Sequence, residues 1–342
     1  MDFDLLRVSQ EKASMPVIKR VIVVLGMQRS GTSTIARAVH ALGVPLGNNL
    51  LPANIFNPRG YWEDQQVWRL NQKFLDLIGA SHQTGGVNCQ GILDHPQCEA
   101  LIAKTTAYLQ KQFDDCALWG LKDPHIGRLL PLWKIIFQRL GVEPSYVIAV
   151  RNPLSIATSL QRCGLADKES GFVLWLENMF GVIGETLESP RAFVDYDELF
   201  GHAPKELLRI ANTLKLPPGP RQSQNIADFA ENFLSENLRG CSHNLEQLRA
   251  AFPGPSIFFD LYEFAQLTAH DQLSPEEFSR RWALLTLRYA DIRRCLAAGA
   301  AQYQKLLAYY QHRNRLWKPL KKMEKLVRTG RKTLLQGSRA AL

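Results

Sequence analysis

The constraint that narrows the fold most is the stretch VIVVLGMQRSGTSTIARAV, residues 21–39. Val21-Ile22-Val23-Val24-Leu25 is an unbroken apolar run, the composition of a strand buried on both faces of a parallel sheet. Gly26 and Gly31 follow with four residues between them, and a helical pattern then begins. A strand that turns through two glycines into a helix outlines the phosphate-binding loop G-x-x-x-x-G-K-[S/T]. The lysine of that loop is absent. Thr32 stands in its place, and Arg29 lies inside the loop instead.

The rest of the chain repeats the alternation. Strand-like runs at 117–121, 146–150 and, more weakly, 192–194 are separated by helix-length patterns at 64–78, 97–113, 127–140 and 153–163. Strands alternating with helices predict an α/β fold: a P-loop-like, three-layer architecture with a central parallel sheet flanked by helices. Beyond about residue 200 the pattern is helical, with a break at Leu216-Pro217-Pro218-Gly219-Pro220 and two helices expected over 275–311. We therefore expect an α/β domain over 1–245, a helical C-terminal extension over 246–311 and a basic amphipathic tail over 312–342.

Ligands of such sheets bind at the carboxyl ends of the strands. Three strands here run straight into polar residues at that end: Gly26 to Ser33, Lys122-Asp123 and Arg151-Asn152. In the first loop the backbone N–H groups and the helix N-terminus converge on one anion site that needs no metal. Ser30, Thr32, Ser33 and Thr34 add hydroxyls, and Arg29 adds a planar fork suited to a tetrahedral oxyanion. Without the lysine, hydrolysis of a nucleoside triphosphate loses a central part. The bland alternative is a glycine-rich turn that binds nothing. The third strand leads to Arg151, then Pro153 in the first helical turn, then Ser159 two turns on, a pair able to grip a second phosphate.

Charge and cysteine usage bound the rest. The formal net charge is +9. Residues 312–342 hold ten Lys/Arg and a single acid, Glu324, which leaves 31 basic and 31 acidic residues in the body. The body thus has no bias toward nucleic acid. The six cysteines form no CxxC pair, so reduced thiols in a cytoplasmic setting are expected. Cys89, His95 and Cys98 fit no zinc spacing, and no metal is expected. The N-terminal stretch carries early acids and no apolar core, and does not read as a signal peptide. No apolar run approaches the ~18 residues of a membrane span.

The pairing of GMQRSGTS (26–33) with VRNPLSIATSL (150–160) resembles the sulfotransferases that use 3′-phosphoadenosine 5′-phosphosulfate (PAPS), of the bacterial, carbohydrate- and tyrosylprotein-modifying kind. In that family the first loop grips the 5′-phosphosulfate, and an arginine and a serine eight residues later grip the 3′-phosphate. The corresponding residues here are Gly26 and Arg29 to Thr34, then Arg151 and Ser159. WGLKDP (119–124) and FVDYDEL (193–199) extend the similarity in the same order, over roughly 20–200 and more loosely to about 245.

The resemblance implies sulfuryl transfer from PAPS to an alcohol, with a carbohydrate or glycoconjugate hydroxyl as acceptor. Lys122 is similar to the family's lysine at the bridging oxygen. The family's carboxylate base falls in NPRGYWEDQQVW (57–68), where Glu63 is the first candidate and Asp64 the second; either acid also suits a helix N-terminus. His125 replaces an arginine common after the family's K-D-P and stands as a rival base. Asp123 is expected to orient Lys122 or Arg29, and Tyr196 to pack or to position the nucleotide edge. Arg239 and His243 are looser matches to a capping element. Tyr61, Trp62 and Trp68 are either core or a platform for a sugar ring. A P-loop kinase or hydrolase, and a nucleotide-binding tether without turnover, remain alternatives. In the tail, apolar positions 316, 320, 323 and 327 with basic residues between them suggest contact of 316–332 with an anionic membrane, at about 1 kcal/mol per basic residue; a solvated tail is the alternative.

Overall fold

The computed structural model describes residues 19–295 and 298, except 56, 82–86, 88, 114, 236–238 and 255. The described residues up to Leu285 make one compact unit, and the few described from Thr286 onward belong to another. The fold below is that of the first. The amphipathic tail expected over 312–342 lies outside the described residues, as does the end of the helical stretch expected to reach 311; the described part, 275–295, is helical.

Four strands form one parallel sheet: β1 (Arg20–Leu25), β2 (Leu118–Lys122), β3 (Glu143–Val150) and β4 (Arg191–Asp195). Their order is β2-β1-β3-β4. The chain moves outward on one side of β1 and then crosses to the other, which opens a crevice beyond the carboxyl ends of the strands. The four expected strands are present. β3 begins three residues early, where Glu143-Pro144-Ser145 pair with β1 before β4 has started. Glu143 is exposed, Pro144 half-buried and Ser145 buried, and this stretch carries no apolar signature; proline is tolerated at the start of a strand.

The helices fill both faces. They are α1 (Thr32–Ala41), α2 (Gln65–Asp76), α3 (Cys89–Leu93), α4 (Cys98–Phe113), α5 (Leu130–Leu140), α6 (Pro153–Arg162), α7 (Lys168–Glu185), α8 (Glu198–Thr213), α9 (Gln222–Asp228), α10 (Leu245–Ala251) and α11 (Ile257–Ala269). Ile22 and Val24 of β1, with Val147, Ala149, Ala192 and Val194, face α1, α8 and α9 through Ile35, Val39, Leu207 and Ile210. Alternation along a strand turns Val21, Val23 and Leu25 to the other side, where α5 packs on β3, and α11 packs on β3 and β4. The result is the expected three-layer sandwich, with a helical part from α8 onward. α8 is kinked at His202, next to Pro204. No described helix is long and apolar enough to cross a membrane.

One polar contact fastens the α2–α5 side. The indole of Trp133, fully buried, donates to Asn71 Oδ1 at 3.0 Å. Asn71→Ala leaves that N–H without a partner, at a cost of about 1–3 kcal/mol. The expected outcome is a lower urea midpoint with an unchanged slope.

Candidate functional site

The β1–α1 loop owes its shape to two glycines. Gly26 has φ 153° and Gly31 has φ 88°. A Cβ on Gly31 would stand 2.0 Å from the Tyr196 ring, and one on Gly26 would stand 2.6 Å from Ser30 Oγ. Ser30 is turned inward, donating to the Met27 carbonyl at 2.7 Å. Arg29 between them is left-handed at φ 69°. No side chain caps α1. By contrast α2, α6 and α7 are capped by Asp64, Asn152 and Asp167. The first amides of α1 thus open into the crevice with the positive end of the helix dipole behind them.

The two motifs that the sequence paired across 130 positions meet in space. Arg29 Nε donates to Ser159 Oγ at 2.9 Å. Arg151 donates to the Arg29 carbonyl at 2.6 Å and to the carbonyls of Arg239 and Cys241 at 2.9 and 2.7 Å. Its guanidinium lies 4.3 Å from the centre of the Tyr196 ring. Burial lowers the Arg151 pKa from its usual value, but it remains a cation. Arg151 Nε is buried without a partner. Beside it, Arg239 pairs with Asp197 at 2.8 Å. Asn152 and Ser155 hold the backbone of His243 and Asn244. The loosely matched C-terminal element is therefore anchored on the third strand's tip.

Lys122 forms the other centre. It is buried, and its ammonium donates to Glu63 Oε1, to Ser33 Oγ at 3.2 Å and to the Tyr61 carbonyl at 3.1 Å. Asn57 also donates to Ser33 Oγ, at 3.1 Å. Burial pushes the Glu63 pKa up; the Lys122 charge pulls it down without reversing the shift, and the Asp123 charge adds to the rise. Glu63 is thus a carboxyl with raised proton affinity, held against a cation at the mouth of the loop.

The other candidates have different surroundings. Asp64 caps α2: its Oδ1 accepts from the amides of Gln66 and Val67, and its Oδ2 accepts from the Tyr108 hydroxyl at 2.6 Å. Its oxygens are committed to helix initiation, and it does not line the cleft. His125 is buried, with Nδ1 2.8 Å from Asp123 Oδ1 and Nε2 3.1 Å from the Gln72 amide. Asp123 also accepts the His125 amide, so it orients His125 rather than Lys122 or Arg29. Trp62 adopts φ 58° and packs between His40 and Phe233, with Arg37 over its ring. It braces the wall from behind, whereas Tyr61 and Trp68 face the cleft. The Cys89–His95–Cys98 stretch makes no metal cluster among the described residues.

These groups line a cleft of about 750 Å³ that runs from Arg29 and Ser33 past Glu63 and Lys122 to Phe233 and Arg239. That lies within the ~300–1,000 Å³ usual for small-molecule sites. A glycine cradle that side chains would fill, an uncapped helix end and a buried guanidinium with an unused donor fit a ligand carrying two phosphate-like groups. Sequence reasoning missed Gln72, Asn57 and Tyr108. Asn152 was findable, since an Asn directly before Pro153 is a helix-start signal.

No protein-family model and no curated protein matches the chain. Among solved structures, the sulfotransferase domain of the Synechococcus PCC 7002 olefin synthase aligns over 72% of this chain and 94% of that one, at 18% identity and a TM-score of 0.40. Sulfotransferase STF1 from Mycobacterium tuberculosis H37Rv aligns over 70% and 77%, at 17% identity and 0.38. Sulfotransferase STF9 from Mycobacterium avium aligns over 69% and 75%, at 15% identity and 0.42. This chain is similar to each of these sulfotransferase domains. At such similarity, function has to come from the side chains at the strand ends.

Arg151→Ala removes three charge-assisted bonds to backbone carbonyls. We expect a loss of about 1.5–3 kcal/mol in stability and faster amide exchange across 239–244. Exchange confined to its original rate would show that the segment holds without the clasp.

Proposed function

We propose that the protein is an enzyme that transfers the sulfuryl group of PAPS to an alcohol, with a carbohydrate or glycoconjugate hydroxyl as the acceptor class that the sequence favours. The observation that carries this reading is the Lys122 ammonium donating at once to Glu63 and to Ser33 Oγ. It joins a base of raised proton affinity to the N-terminus of the uncapped anion-binding helix. A triphosphate site would instead need a lysine within the loop and a magnesium ligand set.

PAPS supplies a sulfur whose bond to the 5′-phosphate oxygen is already activated. In the transfer, the acceptor oxygen bonds to sulfur, that S–O bond breaks, and 3′,5′-adenosine bisphosphate leaves with the bonding electrons. Glu63 takes the acceptor's proton. Lys122 lies where charge grows on the leaving oxygen, and its shift from Glu63 toward that oxygen leaves the carboxylate ready for the proton. The α1 amides with Thr32 and Ser33, and Arg29, supply fixed positive dipoles for the phosphosulfate, while Ser30, turned inward, holds the loop's shape, so the groups need little reorganisation. Arg151 and Ser159, joined through Arg29, are assigned to the 3′-phosphate. Tyr61 and Trp68, on the cleft wall, are the aromatic faces for a sugar ring.

Titration calorimetry with 3′,5′-adenosine bisphosphate and with ATP, each with and without magnesium, tests the donor. Tight, magnesium-independent binding of the bisphosphate is expected; a preference for magnesium-ATP would refute the proposal. Glu63→Gln should cut turnover about a hundredfold or more with bisphosphate affinity kept.

The pH dependence follows from the sign of the Glu63 shift. The base works deprotonated and its pKa is raised, so the acid limb of kcat/KM should lie above the ordinary glutamate value of about 4.3. Asp123→Asn removes a charge that contributes to the rise, and should move that limb to lower pH. A limb that stays in place would assign it to another group.

A further inference from the structure

The donor and transfer groups use up the charge on the cleft wall. The charged side chains there are Arg29, Arg59, Glu63, Lys122, Arg151 and Arg239. Arg59 donates to the Asn232 carbonyl at 2.9 Å and lies over the Phe233 ring, so it belongs with the 229–233 segment. Among the described wall residues no other charge is present. On the remaining side the wall is uncharged and mixes apolar Leu51, Ile55, Trp68, Pro124 and Leu165 with polar Gln28, Asn54, Asn57 and Tyr61.

Leu51 is bound directly to the base's own backbone, its amide donating to the Glu63 carbonyl at 2.8 Å. Trp68 follows Glu63 by five residues, on the first turn of α2. Pro124 follows Lys122 by two. Leu165 comes from the loop between α6 and α7. At the rim, Ile55 is 88% exposed and Trp68 38%. A single exposed apolar side chain needs no account, but these two share the mouth of one cleft. Pro124 and Leu165 also wall a side recess of about 30 Å³, where Met27, Leu160 and Leu174 meet Gln28, His125, Arg128 and Asn178.

Resting on the sulfuryl-transfer reading, we infer that the acceptor hydroxyl is carried on an uncharged molecule with an apolar body, an alkyl or aryl glycoside or comparable long-chain alcohol, seated on Leu51, Ile55, Trp68 and Leu165. A free sugar would engage Asn54, Asn57 and Tyr61 but leave the exposed side chains of Ile55 and Trp68 uncovered. An acidic glycan would bring a second anion beside Glu63 and the phosphosulfate. An apolar body covers the exposed rim and excludes water from the transfer groups. Each buried methylene contributes about 0.8 kcal/mol.

The test is a series of alkyl glucosides of increasing chain length below their micelle concentrations, with free glucose and an acidic disaccharide as controls. With PAPS as donor, kcat/KM should rise about fourfold per methylene while the chain lies in the cleft, then level off. A flat series, or preference for free glucose or the acidic disaccharide, overturns the inference. Equilibrium binding of the same series to protein saturated with 3′,5′-adenosine bisphosphate gives a readout independent of turnover, and the same slope is expected. If the bisphosphate itself does not bind, the transfer reading fails, while the slope measured on the protein alone still decides whether the apolar wall selects its ligand. Ile55→Asp, at an exposed position outside the donor site, should flatten the series and leave bisphosphate affinity unchanged; an undiminished slope would remove Ile55 and the rim from the acceptor site.

Discussion

The buried ammonium of Lys122 is the interaction on which the site depends. A charge in such surroundings is tolerated only with close compensation, and removing one partner of a buried pair costs several kcal/mol. Lys122 finds its acceptors in three places: the carboxylate that precedes α2, the hydroxyl of Ser33 at the start of α1, and the Tyr61 carbonyl. The parallel register makes this possible. Lys122 lies opposite Val24, so its side chain leaves the sheet beside the start of the glycine loop. A slip of one residue would turn it to the other face. Sheet register, loop geometry and the approach of the 57–64 segment are thereby tied to one nitrogen atom.

A second chain of dependence runs through Tyr196. Its ring approaches Gly31 so closely that no Cβ fits, and its other side carries the Arg151 guanidinium. Gly31 is therefore required twice, by its left-handed backbone and by the ring against it. Arg151 in turn fixes the loop carbonyl at Arg29 and the backbone at 239 and 241. Glycine, ring and guanidinium form a stack that sets the distance between the loop and the third strand's tip, and with it the spacing of two anions that the site can hold.

The sheet and most helices were legible because each strand is a run of apolar residues ending in polar ones, a signal that survives without tertiary context. The pairing of the first loop with the 151–159 element was legible as order along the chain, whereas the bond between Arg29 and Ser159 was not. The roles of neighbouring residues were not. Glu63 and Asp64 are adjacent acids, and only backbone geometry decides that Asp64 closes the first turn of α2 while Glu63 points at Lys122. Trp62 reads equally as core or as an aromatic platform until its positive φ turns it toward His40 and Phe233. The clasp of Arg151 on carbonyls was invisible for a simpler reason: a carbonyl acceptor can belong to any residue type. His125 drew notice as a titratable group in a suggestive place, yet Asp123 and Gln72 occupy both of its nitrogens.

The strength of the base and the nature of the acceptor are, on this reading, one property of the cleft. Burial is the largest cause of the raised proton affinity of Glu63, and Leu51 and Trp68 are among the side chains on that wall. Polar replacements of Leu51 and Trp68 would also hydrate the carboxylate, lower its pKa and weaken it as a base. An apolar acceptor body has the opposite effect, since it completes the desolvation that the wall begins. The Lys122 charge is then felt more strongly by the leaving oxygen, because less water screens it. Selecting an apolar acceptor and activating its hydroxyl would therefore follow from the same side chains, without a separate gate to close the site.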